Sequence, residues 1–236
     1  FGMNDLASAK ASFKDQAVIF SRKHNWIMCI LYLGTFGSFI GFAAGFPLLI
    51  KSQFTGIDPV KYAFLGPLVG ALARPFGGWI SDKIKSGALI TQFVFIGMIV
   101  AVCGVIFFLP NNGEGGNFWG FFACFLALFT LTGIGNGSTF MQVPVIFLNM
   151  HQKFAEEGKV SEEQARLDAT KEGAAVIGFT AAFAAYGGFF IPKSYGTSID
   201  LTGGVNAALI GFIIFYAICA VLNWWYYTRK GAEAKC

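Results

Sequence analysis

The sequence predicts an all-α membrane protein with six transmembrane helices. Of its 236 residues, 55% are hydrophobic and only 13% are charged, whereas soluble domains carry about 25% charged residues. The apolar residues are concentrated in six blocks that are almost free of charge. Each block is about 19 residues or longer, which is enough for a helix to cross a hydrocarbon core of about 30 Å.

Each apolar block is assigned one helix because a charged or polar loop bounds it on either side. In chain order, the predicted spans are 26–50, 62–80, 88–109, 118–148, 174–192 and 205–228. The polar residues 1–25 are interpreted as a cytoplasmic loop, and 229–236 as a cytoplasmic tail. Because residue 1 is Phe rather than Met, we expect this sequence to be part of a longer protein.

The basic residues are distributed unequally between the two sets of loops. Three loops on one side (51–61, 110–117 and 193–204) hold 3 Lys or Arg, and the segments on the other side hold 13. The positive-inside rule therefore places both termini in the cytoplasm, as expected for a protein of the cell inner membrane. The net charge of +4 reflects this bias, and we expect a lipid bilayer rather than nucleic acid as the environment.

Arg74 is the only charged side chain inside any of the six blocks. A cation in hydrocarbon costs about 2.5–3.5 kcal/mol on insertion scales, so a membrane protein that keeps one usually needs it. Arg74 follows Gly66 and Gly70 at helical spacing and precedes Gly78, so we expect its side chain to point into the bundle. The alternative is that it snorkels to the nearby interface. A planar, forked guanidinium is suited to a planar oxyanion.

The acidic residues and both histidines fall outside the blocks or at their edges. A proton relay normally needs an ionisable side chain within the membrane, so the sequence favours exchange of one anion for another. Proton coupling stays open as an alternative. The sequence contains no catalytic constellation, metal motif or cofactor motif, so we predict a protein that is not an enzyme.

Aromatic and polar side chains accompany Arg74 in other blocks. Tyr32 and Phe36 are one helical turn apart, and Asn136 and Ser138 begin a polar cluster in the fourth block that continues to Gln142. We interpret these residues as walls and hydrogen-bond donors of a small anion site, or alternatively as helix-packing contacts. The charged loop 149–171 contains a helix-cap sequence at Ser161 and is expected to form a surface helix between two groups of three spans.

Several motifs resemble those of a known family. Gly78–Lys83 resembles the cytoplasmic loop motif of the major facilitator superfamily, although Lys85 replaces its usual second glycine. The remaining matches resemble the nitrate/nitrite porter family of that superfamily, and its NarK-type nitrate/nitrite antiporters in particular, over essentially the whole chain. They are FGMNDL at 1–6, YLGTFGSF at 32–39, GALAR at 70–74, GNGSTF at 135–140 and YGGFFIPK at 186–193.

The resemblance implies the C-terminal half of a twelve-helix transporter, with residues 1–25 as a remnant of its central loop. It implies that Arg74 binds substrate, that Tyr32 and Phe36 line the anion site, and that Gly187 and Gly188 belong to a nitrate signature. A second arginine is expected in an N-terminal six-helix half that is missing here. The implied function is nitrate/nitrite exchange by alternating access; another small anion, proton coupling or a non-functional half-transporter are the alternatives.

Overall fold

The computed structural model describes residues 16–110 and 115–236. Within these ranges the regular structure is helical, and two short 3₁₀ turns, Ala17–Ser21 and Pro59–Lys61, precede the first two long helices. The long helices are α1 (Lys23–Gln53), α2 (Leu65–Ile84), α3 (Gly87–Phe108), α4 (Phe118–Glu156), α5 (Glu162–Thr202) and α6 (Asn206–Thr228). The first fifteen residues of the predicted loop remnant, including the motif at 1–6, lie outside the described residues.

The predicted helical membrane class is confirmed, but the count of six spans is only partly supported. In the part of the chain that the structure describes, five helices are long and apolar enough to cross a membrane by length and composition, and α2 is not among these five. With 20 residues, α2 is about 30 Å long at 1.5 Å per residue, so its length would suffice. Its composition differs because it carries Arg74 at its middle and Asp82 and Lys83 in its last turn.

Helix α4 is the centre of the packing. Helices α2 and α3 both pack against it, while α1 packs against α5 and α3 also contacts α6. Glycines allow α2 and α4 to approach closely, because a methyl group added to Gly133 would overlap the backbone carbonyl of Gly70. A methyl group on Gly77 would likewise overlap Ile134. The glycine spacing in these two helices therefore serves backbone contact.

Two long helices are locally irregular where predicted site residues lie. Helix α1 contains a π-helical turn at Leu33–Gly37, between the α-helical segments Lys23–Tyr32 and Ser38–Gln53. Helix α5 is interrupted at Tyr186, between Glu162–Ala185 and Gly187–Thr202. Single π-turns inside α-helices are frequent at functional sites, because they change which side chains face one another.

The charged segment 149–171 is more helical than a connecting loop would be. Helix α4 continues to Glu156 and α5 begins at Glu162, so only five residues connect them. The hydroxyl of Ser161 accepts a hydrogen bond of 3.2 Å from the amide of Gln164, which is the expected N-cap. The sequence predicts a separate surface helix here. In the structure the polar helix instead continues directly into the apolar part of α5.

Ionic contacts gather at the end of the bundle where α1 begins. Arg22 donates two hydrogen bonds to the carboxylate of Glu172, at 2.9 and 2.8 Å. His151 Nε2 lies 3.3 Å from the same carboxylate. These contacts join the start of α1 to α4 and α5. Charge-assisted hydrogen bonds of this two-point kind are about twice as strong as neutral ones.

Candidate functional site

Arg74 lies halfway along α2, and its side chain is exposed on the surface of this chain. Its guanidinium carbon is 5.6 Å from the centre of the Phe36 ring, which projects from the π-turn of α1. A guanidinium over an aromatic face is attracted by the electron density of the ring. This contact connects α2 to α1 and holds the cation beside an aromatic wall.

The expectation that Arg74 points into the bundle of this chain is wrong, and helix geometry explains the error. At about 100° per residue, Gly70 and Gly77 both lie within about 40° of Gly66, and all three are buried. Arg74 lies about 80° from Gly66, and Gly78 about 120°, because each step of four residues adds about 40°. Arg74 therefore lies at the edge of the glycine contact, on an open face.

Tyr32 and Phe36 share a face of α1, as their spacing predicts. Their rings stack with centres 5.2 Å apart and planes inclined by 30°. Phe36 is half-buried, whereas Tyr32 is buried with its hydroxyl directed at α4. The phenol donates a hydrogen bond of 2.9 Å to Oδ1 of Asn136. Arg74, Phe36, Tyr32 and Asn136 thus form one continuous series of contacts across α2, α1 and α4.

The polar cluster of α4 divides between two neighbouring helices. Asn136 faces α1. Thr139 also faces α1, where its hydroxyl lies 3.1 Å from the hydroxyl of Thr35. Ser138 faces α3 instead, where its hydroxyl is 2.7 Å from that of Thr91. Successive polar residues on a helix point about 100° apart, so a cluster in sequence separates in space. Thr35 and Thr91 were missed by the sequence reasoning, because a single threonine in an apolar block carries no signal.

Gly187 and Gly188 lie where α5 crosses α1. A methyl group added to Gly187 would overlap the backbone of Gly37, and one added to Gly188 would lie 2.9 Å from Cγ2 of Ile40. These glycines therefore allow two helix backbones to approach closely, next to the π-turn that carries Phe36. The structure places Gly187, Gly188 and Ser138 in helix contacts, outside the series that begins at Arg74.

The guanidinium of Arg74 has no acidic partner in the part of the chain that the structure describes. The ion pairs found there involve Arg22, Lys23, His24, His151 and Lys159. Among the described residues nothing neutralises this charge, so it attracts an anion, and the five N–H donors of the guanidinium can form hydrogen bonds to that anion. The arrangement can therefore hold a small oxyanion against a forked cation, next to an aromatic ring.

The chain is similar to proteins named as transporters. It is 44% identical over 234 residues to the nitrate/nitrite transporter NarU of Escherichia coli, and this match covers 99% of the chain and 50% of that protein. It is 42% identical over 232 residues to the probable nitrate/nitrite antiporter NarK2 of Thermus thermophilus, covering 96% and 47%. It is 27% identical over 239 residues to the nitrite extrusion protein of Bacillus subtilis.

No protein-family model matches the chain. The chain spans about half the length of the curated relatives it matches. The match to NarU covers 99% of the chain, so the similarity is not confined to one motif. By this similarity the chain is a homologue of nitrate/nitrite transporters, the family that its sequence motifs resemble.

Proposed function

We propose that this chain supplies half of the anion site of a nitrate/nitrite exchanger. The observation that carries the proposal is the guanidinium of Arg74, which has no acidic partner among the described residues and lies 5.6 Å from the Phe36 ring on an open face. Nitrate and nitrite are small planar anions whose oxygens accept hydrogen bonds from a guanidinium fork. The names of the relatives at 42–44% identity support these two substrates.

In this proposal Arg74 binds the anion, Phe36 covers one face of it and Tyr32 limits the size of the site. Asn136 acts through Tyr32, since its side-chain oxygen accepts the phenolic hydrogen bond. Gly187 and Gly188 let α5 move against α1 during transport, and Ser138 holds α3 to α4. In a complete transporter, a second half would cover the open face and bury the Arg74 side chain.

The proposed architecture is the C-terminal half of a twelve-helix major facilitator superfamily transporter, with α2 as a sixth span. The partner would be an N-terminal six-helix half that brings further anion ligands. Transport would proceed by rocking of the two halves around a site near the middle of the bilayer. We place the protein in the cell inner membrane with both termini in the cytoplasm, on the distribution of basic residues. We propose a transport role without enzymatic activity, which the names of the relatives support.

Exchange can be tested in proteoliposomes that contain the protein as purified from its own membrane, with any companion half that co-purifies. We expect nitrate uptake to require nitrite or nitrate inside the vesicles, because an exchanger returns only with an anion bound. The control is the Arg74→Gln variant in the same vesicles, which should lose uptake. Co-purification of a six-helix partner would be measured in the same preparation by mass spectrometry.

Three outcomes would contradict the proposal or change its substrate. Uptake driven by an imposed pH gradient, with no internal nitrite or nitrate, would indicate proton coupling rather than exchange. Absence of both anion binding and uptake in the purified protein would indicate a half-transporter without function. Uptake of a different small anion in preference to nitrate would reassign the substrate while keeping Arg74 as the ligand.

A further inference from the structure

An apolar groove of about 540 Å³ lies between α2 and α3, with α4 as its floor. Leu72, Phe76 and Phe93 on its two walls are each more than 60% exposed on this chain. Such large exposed apolar side chains need a partner or lipid to cover them. Further lining residues are Trp79, Ile80, Ile90, Leu131 and Ile134.

The groove presents almost no polar group to its occupant. Thr130 is the one hydroxyl-bearing residue among its lining residues, and its hydroxyl donates a hydrogen bond of 2.8 Å to the carbonyl of Leu126 in its own helix. The threonine therefore contributes its methyl group to the surface. An occupant of this groove must itself be apolar along most of its length, because a polar group there would lose its hydrogen bonds to water.

The groove is separate from the proposed anion site. Leu72 and Phe76 are each two residues from Arg74, so they lie about 200° around α2 from it. The cation and the groove thus occupy opposite sides of the same helix. If Arg74 marks the side that meets the other half of the transporter, the groove is on the side that faces the bilayer. The occupant of the groove does not depend on which anion the transporter carries.

Positive charge lies at one end of the groove. The ammonium of Lys83 is 4.4 Å from the centre of the Trp79 ring, which is itself part of the groove wall. Lys85 follows two residues later, and α3 begins at Gly87 with the partial positive charge of a helix N-terminus. Tryptophan and lysine together at the end of a span are typical of the bilayer interface.

We propose that this groove binds one anionic phospholipid. An acyl chain lies against Leu72, Phe76 and Phe93, and the phosphate contacts Lys83 beside Trp79. From Leu72 to Ile80 the groove runs about 12 Å along α2, in the direction that an acyl chain takes from the interface into the bilayer. Basic residues beside grooves between transmembrane helices are suited to lipid phosphates, and each contributes attraction to anionic lipid.

Quenching of Trp79 fluorescence by brominated lipid tests this proposal. The protein is reconstituted with brominated phosphatidylglycerol or brominated phosphatidylcholine at increasing mole fractions. The contribution of Trp79 is the difference between the unmodified protein and the Trp79→Phe variant. We expect Trp79 to be quenched at a lower mole fraction of phosphatidylglycerol than of phosphatidylcholine, because only the former carries a net negative charge.

The Lys83→Gln variant should weaken this preference about fivefold, which is the effect of removing one basic residue near anionic lipid. Lys83→Arg should retain the preference. Lys61→Gln is the matched control, since Lys61 is an exposed lysine before the opposite end of α2.

Three results would overturn the proposal. Quenching by neither lipid would mean that a protein segment or a second copy covers the groove. Equal quenching by both lipids would mean that the groove takes acyl chains without regard to charge. An equal loss in Lys83→Gln and Lys61→Gln would mean a general surface effect. None of these results bears on nitrate exchange, which is measured separately.

Discussion

The phenolic hydroxyl of Tyr32 donates a 2.9 Å hydrogen bond to Oδ1 of Asn136, a residue 104 positions away on another helix. Both side chains are almost fully buried, at 4% and 1% exposure. The bond therefore holds the Tyr32 ring in one orientation, and the stacked Phe36 ring with it. Since Phe36 contacts Arg74, a hydrogen bond between α1 and α4 determines the geometry around a cation on α2.

Replacing Asn136 with Leu should destabilise the protein more than the double replacement of Asn136 with Leu and Tyr32 with Phe. Asn136→Leu leaves the buried Tyr32 hydroxyl without an acceptor, at a cost of about 1–3 kcal/mol in the free energy of unfolding. In the double variant with Tyr32→Phe the unpaired hydroxyl is gone, so part of the loss should be recovered. Thermal unfolding in detergent measures all four members of the cycle. Strictly additive effects would show that the bond does not couple the two residues.

Replacing Arg74 with Lys should weaken nitrate binding roughly ten- to hundredfold. Lysine keeps the charge but loses the fork, so about one charge-assisted hydrogen bond is lost, worth about 1.5–3 kcal/mol. Equilibrium binding of nitrate to the purified protein measures the effect. Arg166→Lys is the matched control, because Arg166 is exposed in the polar part of α5. Near-normal nitrate affinity in Arg74→Lys would exclude Arg74 as the ligand.

The neighbouring glycines Gly77 and Gly78 should respond oppositely to alanine. A methyl group at Gly77 would overlap the backbone of Ile134, whereas at Gly78 it meets no atom of residues 16–110 or 115–236 within 4 Å. We expect Gly77→Ala to lower the melting temperature by several degrees, since a helix backbone must move. Gly78→Ala should be neutral or slightly stabilising, because alanine favours a helix by about 1 kcal/mol over glycine. Equal melting temperatures for the two variants would refute the close contact of α2 with α4.

The C-terminal tail should dock in a pH-dependent way through Glu233. Lys23 donates a hydrogen bond of 2.5 Å to its carboxylate, and this contact is the main reason that the pKa of Glu233 is lowered. A lowered carboxyl pKa stabilises the docked tail above the ordinary carboxyl range. That stabilisation is lost as the pH falls through the lowered value. We therefore expect the tail to be docked at neutral pH and released in acid.

Reaction of Cys236 with dithiodipyridine reports this release. Burial in the docked tail raises the pKa of the Cys236 thiol to about 12, so its reaction should be slow. At neutral pH Glu233→Gln should react several-fold faster than the unmodified protein, and the two rates should converge in acid. Glu157→Gln is the control, because Glu157 pairs locally with exposed Lys159, and a Cys236→Ser background gives the signal of other thiols. Equal rates for Glu233→Gln and the unmodified protein at neutral pH would contradict docking through Glu233.

The positions of the helices could be predicted because the signal is local. Blocks of about 20 apolar residues between charged loops reveal spans one at a time, and the spacing of Tyr32 and Phe36 placed them on one face. By composition α2 is not among the five described helices that could span a membrane, since the same arginine that marks the site lowers its hydropathy. The polar cluster of α4 was recognised, but its division between Asn136 and Ser138 was not.

The amino-acid pattern alone established an all-helical membrane class, one cation among apolar spans, and an aromatic pair one turn apart. Those features depend on residues close in sequence, where helix geometry relates position to direction. Other features depend on which helices meet. They are the side of α2 on which Arg74 lies, the acceptor of the Tyr32 hydroxyl and the role of Gly187. Such contacts join residues up to 210 positions apart, as in the pair of Lys23 and Glu233. Packing in three dimensions selects them, because a helix presents several possible faces and only its neighbours determine which one is buried.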